Sequence, residues 1–219
     1  MKMISTPKVL LGFSLAIGLV LAFTSLAFAQ RGSHNTAPDS TSSAPLASSL
    51  GVFLRPATSS DTAPGAIASE LQDLTGSASA AASTSLGSVD SSQMRRLVES
   101  GGTSIYAAPT DTGAVCFAIT NGPAGCDDSS NFADGPMSVG VFDAALGSGT
   151  PMAVYGVIEN DVRSVTVTDS GGNVVKATVG GNAFVAQLSD GSTWPTVVSG
   201  TLANGSKVTV ALAKPAPLG

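Results

Sequence analysis

The chain has 219 residues, of which only 11% are charged and 5% are aromatic, and its formal net charge is −5. An acidic balance of this kind disfavours nucleic acid and anionic lipid as partners, because both are polyanions. The single histidine, His34, lies in a Ser- and Thr-rich stretch, so a Ser–His–Asp or Cys–His hydrolase has no evident proton shuttle. The composition favours an exported β protein over enzymes of those classes.

Residues 1–29 have the layout of a secretory signal peptide. A start with two lysines is followed by an apolar run without charge, residues 9–26, and by the A-x-A motif that ends at Ala29. We therefore predict cleavage between Ala29 and Gln30. The apolar run is about 20 residues long, which is enough to span a bilayer, so an uncleaved membrane anchor is the alternative.

Residues 30–88 are rich in Ser, Thr, Ala and Pro and poor in bulky side chains. Such a segment buries too little apolar surface to offset the entropy lost on ordering, so we predict a disordered spacer. A short helix is expected near residues 66–74, ended by Gly76. The apolar patch 52–54 interrupts the spacer, and it is expected either to dock on the folded domain or to bind a partner.

Residues 89–102 are predicted to form a second short helix. Asp90 or Ser91 can cap its N-terminus, and Gly101-Gly102 can end it. Its apolar stripe, at the spacing i, i+3, i+4, consists of Met94, Leu97 and Val98.

Residues 103–213 carry the signals of an all-β domain. Apolar and polar residues alternate in short runs separated by glycine-rich turns, most clearly over 163–179 and over 198–212. Asn204-Gly205, in the second run, is a strong hairpin signal. We predict a mainly β chain whose domain is an antiparallel, immunoglobulin-like sandwich of about nine strands.

Cys116 and Cys126 are the only cysteines. After export they would meet oxidising conditions, where an even pair normally forms a disulfide bond. Asn121-Gly122 lies midway between them, so a hairpin there would bring them together. Free thiols and a redox or metal site are the lesser alternatives, since two cysteines without a nearby histidine make a poor zinc site.

The acidic residues suggest two further sites. Asp127, Asp128 and Asp134 share one loop with oxygen ligands suited to calcium, but the EF-hand pattern is absent, and a solvated acidic loop is the preferred interpretation. Glu159 and Asp161, with Asp143, could act as the paired carboxylates of a hydrolase if two of them shared a cleft.

No metal and no cofactor are predicted. The Gly-rich segment 147–150 lacks the lysine and the following helix of a phosphate-binding loop.

Trp194, the only tryptophan, is expected to pack in the core or at a sheet edge rather than to serve as a ligand platform.

Several short motifs carry a resemblance to a known group of proteins. They are Phe53–Asp61, Arg95-Arg-Leu97, Ile105–Thr110, Gly113–Phe117, Val154–Ile158, Asn182-Ala-Phe184 and Leu188. Together they resemble uncharacterised secreted proteins of high-GC Gram-positive bacteria, over about residues 50–212. That resemblance brings no assigned activity and no functional residue. Separately, residues 152–212 are similar to bacterial immunoglobulin-like modules of surface proteins, which usually bind or space, although fold alone does not give function.

The sequence thus predicts an exported, non-catalytic module of the cell envelope or extracellular space. Its partner would be an unknown extracellular protein or envelope component, and it would touch a membrane only through an uncleaved N-terminal segment. The alternatives are a secreted inhibitor that uses the disulfide-held segment 118–128, and a carboxylate-based hydrolase.

Overall fold

The structure, a computed structural model, describes residues 45–77, 86–143, 151–189 and 193–214. The predicted signal peptide with its cleavage site, His34, and the first part of the predicted spacer all lie outside the described residues. Within the described ranges no helix has the length and hydrophobicity needed to cross a membrane.

Short helices come first in the described chain, and strands follow. The helices are α1 (Leu46–Ser49), α2 (Gly51–Leu54) and α3 (Gly65–Ser77), with 3₁₀ turns at Ser59–Asp61, Ser91–Gln93 and Ser129–Phe132. The strands are β1 (Arg95–Ser100), β2 (Thr103–Pro109), β3 (Val115–Ile119), β4 (Ala124–Asp127), β5 (Met137–Asp143), β6 (Pro151–Ile158), β7 (Val162–Asp169), β8 (Val174–Lys176), β9 (Thr178–Gly180), β10 (Ala183–Gln187), β11 (Pro195–Leu202) and β12 (Lys207–Ala211).

These strands form three four-stranded antiparallel sheets. Sheet I has the order β1-β2-β3-β4, sheet II the order β5-β6-β10-β9, and sheet III the order β12-β11-β7-β8. The predicted mainly β, antiparallel fold is confirmed. The two-sheet immunoglobulin-like topology is not confirmed, because the chain from β1 to β4 forms a meander that supplies a sheet of its own.

Sheet II is the middle layer of the stack. Along β6, Ala153, Tyr155 and Val157 pack in a core shared with sheet I, whereas Val154 and Ile158 pack in a second core shared with sheet III. Successive side chains of a strand point to opposite faces, so a strand buried on both sides needs an almost continuous apolar run. Residues 152–158 are such a run.

Helix α3 covers the other face of sheet I. Ile67 and Leu71 of the helix lie in a third core with Tyr106, Ala108 and Cys116. This face of sheet I is therefore closed to solvent where α3 crosses it. The order of layers is α3, sheet I, sheet II and sheet III.

The two predicted hairpins of the C-terminal half are present, with one departure. β7 pairs with β8, and β11 pairs with β12 across Asn204-Gly205. The run predicted as one strand over 174–179 is divided at Ala177, because β8 belongs to sheet III while β9 pairs with β10 in sheet II. The chain therefore passes from one layer to the next within a few residues.

The predicted helix over 89–102 is wrong. Only Ser91–Gln93 is helical, as one 3₁₀ turn capped by Asp90, and β1 follows over Arg95–Ser100. The pairing of β1 with β2 is irregular between Arg96 and Val98, so Leu97 and Val98 are both buried in the core between sheets I and II. A β-bulge of this kind places two consecutive residues inward and so imitates the apolar spacing of a helix.

The predicted spacer is ordered over residues 45–77. Leu46, Leu50 and Val52 are buried in the core between sheets I and II, and Phe53 packs against it, so the apolar patch 52–54 docks through its first two residues. Leu54, at the end of the patch, remains 74% exposed. The short helix expected near 66–74 lies within α3, which does not end at Gly76 as predicted but continues to Ser77. Composition underestimated this segment because a few large side chains, laid against sheets that other residues build, are enough to order it.

Candidate functional site: the disulfide-bonded hairpin and its acidic neighbours

The predicted disulfide bond is present and lies across the β3–β4 hairpin. Cys116 pairs directly with Cys126 in the strand register, and their sulfur atoms are bonded. At the tip, Asn121 has a φ of 57°, and the Gly122 N–H donates to the carbonyl of Ile119. Asn-Gly supplies the left-handed conformation that reverses the chain at low cost.

Most of this hairpin is covered. Cys116 and Ala118 are completely buried, and Ala124 is nearly so, in the core beneath α3. The disulfide bond therefore joins two strands in the interior. Of the segment 118–128, predicted as an inhibitory loop, the turn 120–123 and part of the acidic end reach the surface.

Asp127, at the end of β4, is a buried carboxylate without a cation. Its side chain faces the interior between sheets I and II, where Asn131 donates a hydrogen bond to one oxygen, Oδ1. The second oxygen, Oδ2, is buried and makes no hydrogen bond of normal geometry. Burial raises the pKa of Asp127, and this outweighs the lowering by the Asn131 and Ser138 side chains. The nearby charge of Asp128 adds to the increase.

Tyr155 of sheet II lies close to Asp127. Its ring contacts Phe117 with a centroid separation of 5.9 Å and crosses Gly140, where an added Cβ would lie 2.4 Å from the phenol carbon Cζ. Burial and then the charge of Asp127 raise the pKa of Tyr155 to about 12. Because both groups are enclosed between two sheets, their evident role is to couple the sheets.

The other acids of the predicted calcium loop, Asp128 and Asp134, lie at the surface. Asp128 caps the 3₁₀ turn that follows it, accepting hydrogen bonds from the Ser130 N–H at 2.8 Å and from the Ser130 hydroxyl. Asp134 is exposed to solvent, whereas Asp127 points inward. Over the part of the chain that the structure describes, no group of three or more His, Cys, Asp or Glu side chains could hold a metal ion.

The acids proposed for a hydrolase are separated. In the antiparallel register of β5 with β6, Asp143 pairs with Pro151, whereas Ile158, just before Glu159, pairs with Met137 at the other end of β5. Six residues of extended strand span about 20 Å, so Asp143 does not share a cleft with Glu159. Glu159 and Asp161 do interact: burial, followed by the charge of Asp161, raises the pKa of Glu159.

Trp194 is buried at the start of β11, at 8% exposure. Its carbonyl accepts a hydrogen bond from the Ser170 N–H in the β7–β8 turn. Trp194 is therefore a packed residue of the fold, as predicted from the sequence.

Sequence reasoning missed a pair of asparagines that clamps the N-terminal segment. Asn160 Oδ1 accepts from the Gly51 N–H at 2.8 Å, and Asn182 Oδ1 accepts from the Val52 N–H at 2.9 Å. Asn160 also donates to the Ser49 carbonyl at 2.6 Å. The only local signal was the Gly-Gly-Asn turn ending at Asn182, whose φ is 66°.

Asp61 was also missed. Arg55 donates to both of its carboxylate oxygens at 2.7 Å, and the N–H groups of Thr58 and Arg96 donate to the same carboxylate. These donors, Arg55 foremost, hold the pKa of Asp61 far below its usual range. The spacing Thr58-x-x-Asp61 resembles a capping box and could have revealed the turn, but not the bond to β1.

No family model matches the chain, and neither the curated proteins nor the solved structures include a significant match. The expected likenesses to secreted Gram-positive proteins and to immunoglobulin-like surface modules therefore remain predictions, and the site has to be interpreted from its own geometry.

Proposed function

We propose that the protein is an exported, non-catalytic module of the cell envelope or extracellular space, with a binding or spacing role. The observation that carries the proposal is the Cys116–Cys126 bond, which the signal-like pattern of residues 1–29 accompanies. Disulfide bonds form and persist in oxidising compartments.

The stacked sheets support the same role. Three sheets share two continuous cores, and the described N-terminal segment is hydrogen-bonded into the stack by Asn160 and Asn182. A module built this way keeps the surfaces of its three sheets at fixed separations, which a binding or spacing role requires. The likeness to bacterial immunoglobulin-like surface modules belongs to the proposal.

Export and chemistry are tested on the same preparation. Cells expressing the full chain are fractionated, and the mature protein is analysed by N-terminal sequencing and intact mass. We expect Gln30 as the first residue and a mass two hydrogens below that of the reduced chain. An intracellular protein with free thiols would contradict the proposal, and an intact Met1 would favour the anchor.

The same protein is then incubated with a panel of esterase, peptidase and glycosidase substrates, and no turnover is expected. Turnover abolished by a single change such as Glu159→Gln would replace the proposal with a carboxylate-based hydrolase.

A secreted inhibitor is the second candidate. The observation in its favour is the hairpin tip 120–123, where Asn121 is exposed and the others are half-buried, above the disulfide bond that closes the hairpin. Incubation with extracellular proteases followed by size-exclusion chromatography tests it. A stable complex that Asn121→Ala weakens would support inhibition, and free protein with full protease activity would exclude it for the proteases used.

A further inference from the structure

Among the described residues, no helix or strand packs against the outer face of sheet III. Val165 and Val167 of β7, and Val198 of β11, point into the core shared with sheet II. The alternate positions of β7, β8, β11 and β12 therefore point away from the stack. We call this outward set the hydroxyl face, because six of its residues carry hydroxyl groups: Ser164, Thr166, Thr168, Ser199, Thr201 and Thr209.

The strand register arranges the hydroxyl face in straight rows. In one row Lys176, Thr166, Ser199 and Thr209 lie side by side on β8, β7, β11 and β12. Neighbouring strands are about 4.8 Å apart, and successive rows are separated by two residues, or about 6.8 Å. The rows thus present a grid of hydroxyl groups with lysines at two of its edges, in which the Thr166 hydroxyl donates to the Ser199 carbonyl at 3.5 Å and can still accept a hydrogen bond.

Charge on this face opposes that of the whole chain. Lys176 and Lys207 are exposed, and none of the outward positions of these four strands is acidic. In the turns of the sheet, Asp169 is buried and held by Asn173 and the Gly171 N–H, while Asp161 lies beyond the start of β7.

Other described cations are occupied. Arg55 pairs with Asp61, Arg96 pairs with Glu99, and Arg95 is buried. The exposed cations without an ion pair in the described ranges are therefore those of sheet III and its end: Arg163, Lys176, Lys207 and Lys214. Because the Debye length is about 8 Å at physiological ionic strength, a ligand on this face interacts most strongly with the nearest charges, and at the outward positions these are Lys176 and Lys207.

We infer that the hydroxyl face binds a carboxylate-bearing polysaccharide. Lysine ammonium groups pair with the carboxylates, and the Ser and Thr rows exchange hydrogen bonds with sugar hydroxyls. This inference rests on the proposed function, since it names the ligand class of the exported module.

Other occupants fit the face less well. Among its outward residues Val174, at 65% exposure, is the one highly exposed large apolar side chain, so there is little to insert into a membrane. Two lysines in an acidic protein are too few for a nucleic acid, whose binding depends on many phosphate contacts.

The test is a binding isotherm of the purified protein on immobilised polygalacturonate at about 50 mM salt, where surface ion pairs are least screened. Lys176→Glu and Lys207→Glu should each weaken binding about fivefold, as reversal of a surface ion pair does. Lys214→Glu makes the same change of charge beyond β12 and should weaken it less than about twofold. A Thr166→Ala/Ser199→Ala variant should lose about threefold through its missing hydrogen bonds.

Three results overturn the inference: no binding to polygalacturonate, an equal loss in Lys214→Glu, or equal binding to neutral dextran. Stronger binding to phosphatidylglycerol vesicles with the same lysine dependence would also overturn it, in favour of a membrane. Thermal unfolding of each variant is measured in parallel, and a variant with a changed melting temperature is replaced by Lys176→Gln or Lys207→Gln. Export is established separately by the mature N-terminus, so an exported protein that binds nothing defeats this inference alone.

Discussion

The N-terminal segment 45–61 and the disulfide-bonded hairpin 115–127 each end in a buried aspartate, and the two aspartates are treated in opposite ways. Asp61 has a guanidinium partner and several N–H donors, and its pKa is lowered. Asp127 has amide and hydroxyl donors and no cation, and its pKa is raised. Burial alone therefore does not decide whether a carboxylate stabilises or destabilises the fold. The hydrogen-bond donors and cations buried with the carboxylate decide it.

The two segments also differ in the interactions that hold them to the rest of the fold. Segment 45–61 has no disulfide bond to the sheets, so its attachment depends on the buried side chains of Leu46, Leu50 and Val52 and on the hydrogen bonds of Asp61 and the asparagine pair. The hairpin is closed by a disulfide bond and can tolerate an imperfectly satisfied carboxylate. Four sets of substitutions test whether the two segments are stabilised in these different ways.

Asp61→Asn should have the largest effect, lowering the free energy of unfolding by about 3 kcal/mol at pH 7, because it leaves Arg55 without its partner. The folded pKa of Asp61 is below the unfolded value, so its contribution is present above the unfolded pKa and is lost as the pH falls toward the folded pKa. Urea unfolding at pH 7 and pH 3 should show the deficit shrinking in acid. Asp134→Asn, at an exposed site, should change neither curve.

Cys116→Ala/Cys126→Ala should lower the free energy of unfolding by roughly 2–3 kcal/mol, the loop-entropy value for a short ring. Reductant should destabilise the original protein by a similar amount and leave the double variant unchanged, as followed by thermal unfolding. If reductant lowered both equally, the bond would not be the cause.

Asn182→Gly should lower the free energy of unfolding by about 1.5 kcal/mol, because it removes the hydrogen bonds to the Val52 N–H and the Ile158 carbonyl but keeps the left-handed backbone. Asn182→Ala should cost about 1 kcal/mol more, since alanine resists a φ of 66°. Hydrogen exchange of residues 46–54 should rise in both variants, and unchanged exchange would mean that the clamp does not hold the segment.

Asp127→Asn should have the smallest effect and the opposite sign, raising the free energy of unfolding by about 1 kcal/mol at pH 7 through removal of a buried, incompletely paired charge. The folded pKa of Asp127 is above the unfolded value, so its contribution is present in acid and is lost as the pH rises through the folded pKa. The gain should therefore disappear at pH 3. The phenol of Tyr155, with a pKa of about 12, should titrate lower in this variant.

The parts of the fold that could be predicted from the sequence are those encoded locally. Alternation and glycine turns located the β7–β8 and β11–β12 hairpins, and two cysteines flanking Asn121-Gly122 located the disulfide bond. Each of these needs only residues that are close along the chain.

The parts that were missed depend on partners far along the chain. Asn182 meets Val52 across 130 positions, and Asp61 meets the Arg96 N–H across 35. The bulge at Leu97 depends on how β1 pairs with β2. The division of the run 174–179 at Ala177 depends on β8 pairing in sheet III and β9 pairing in sheet II. A periodic pattern records that a strand has an apolar face, but it does not record which layer that face meets.

The asparagine clamp also determines how the module would respond to mechanical load. A force applied ahead of Pro45 acts first on α1 and α2. These helices are joined to the sheets by buried apolar side chains and by the side chains of Asn160 and Asn182, not by strand pairing. Under tension this segment would detach before any sheet opens. We therefore expect this segment, held by three buried side chains and a few hydrogen bonds, to yield first, while the three-sheet stack beyond it stays intact.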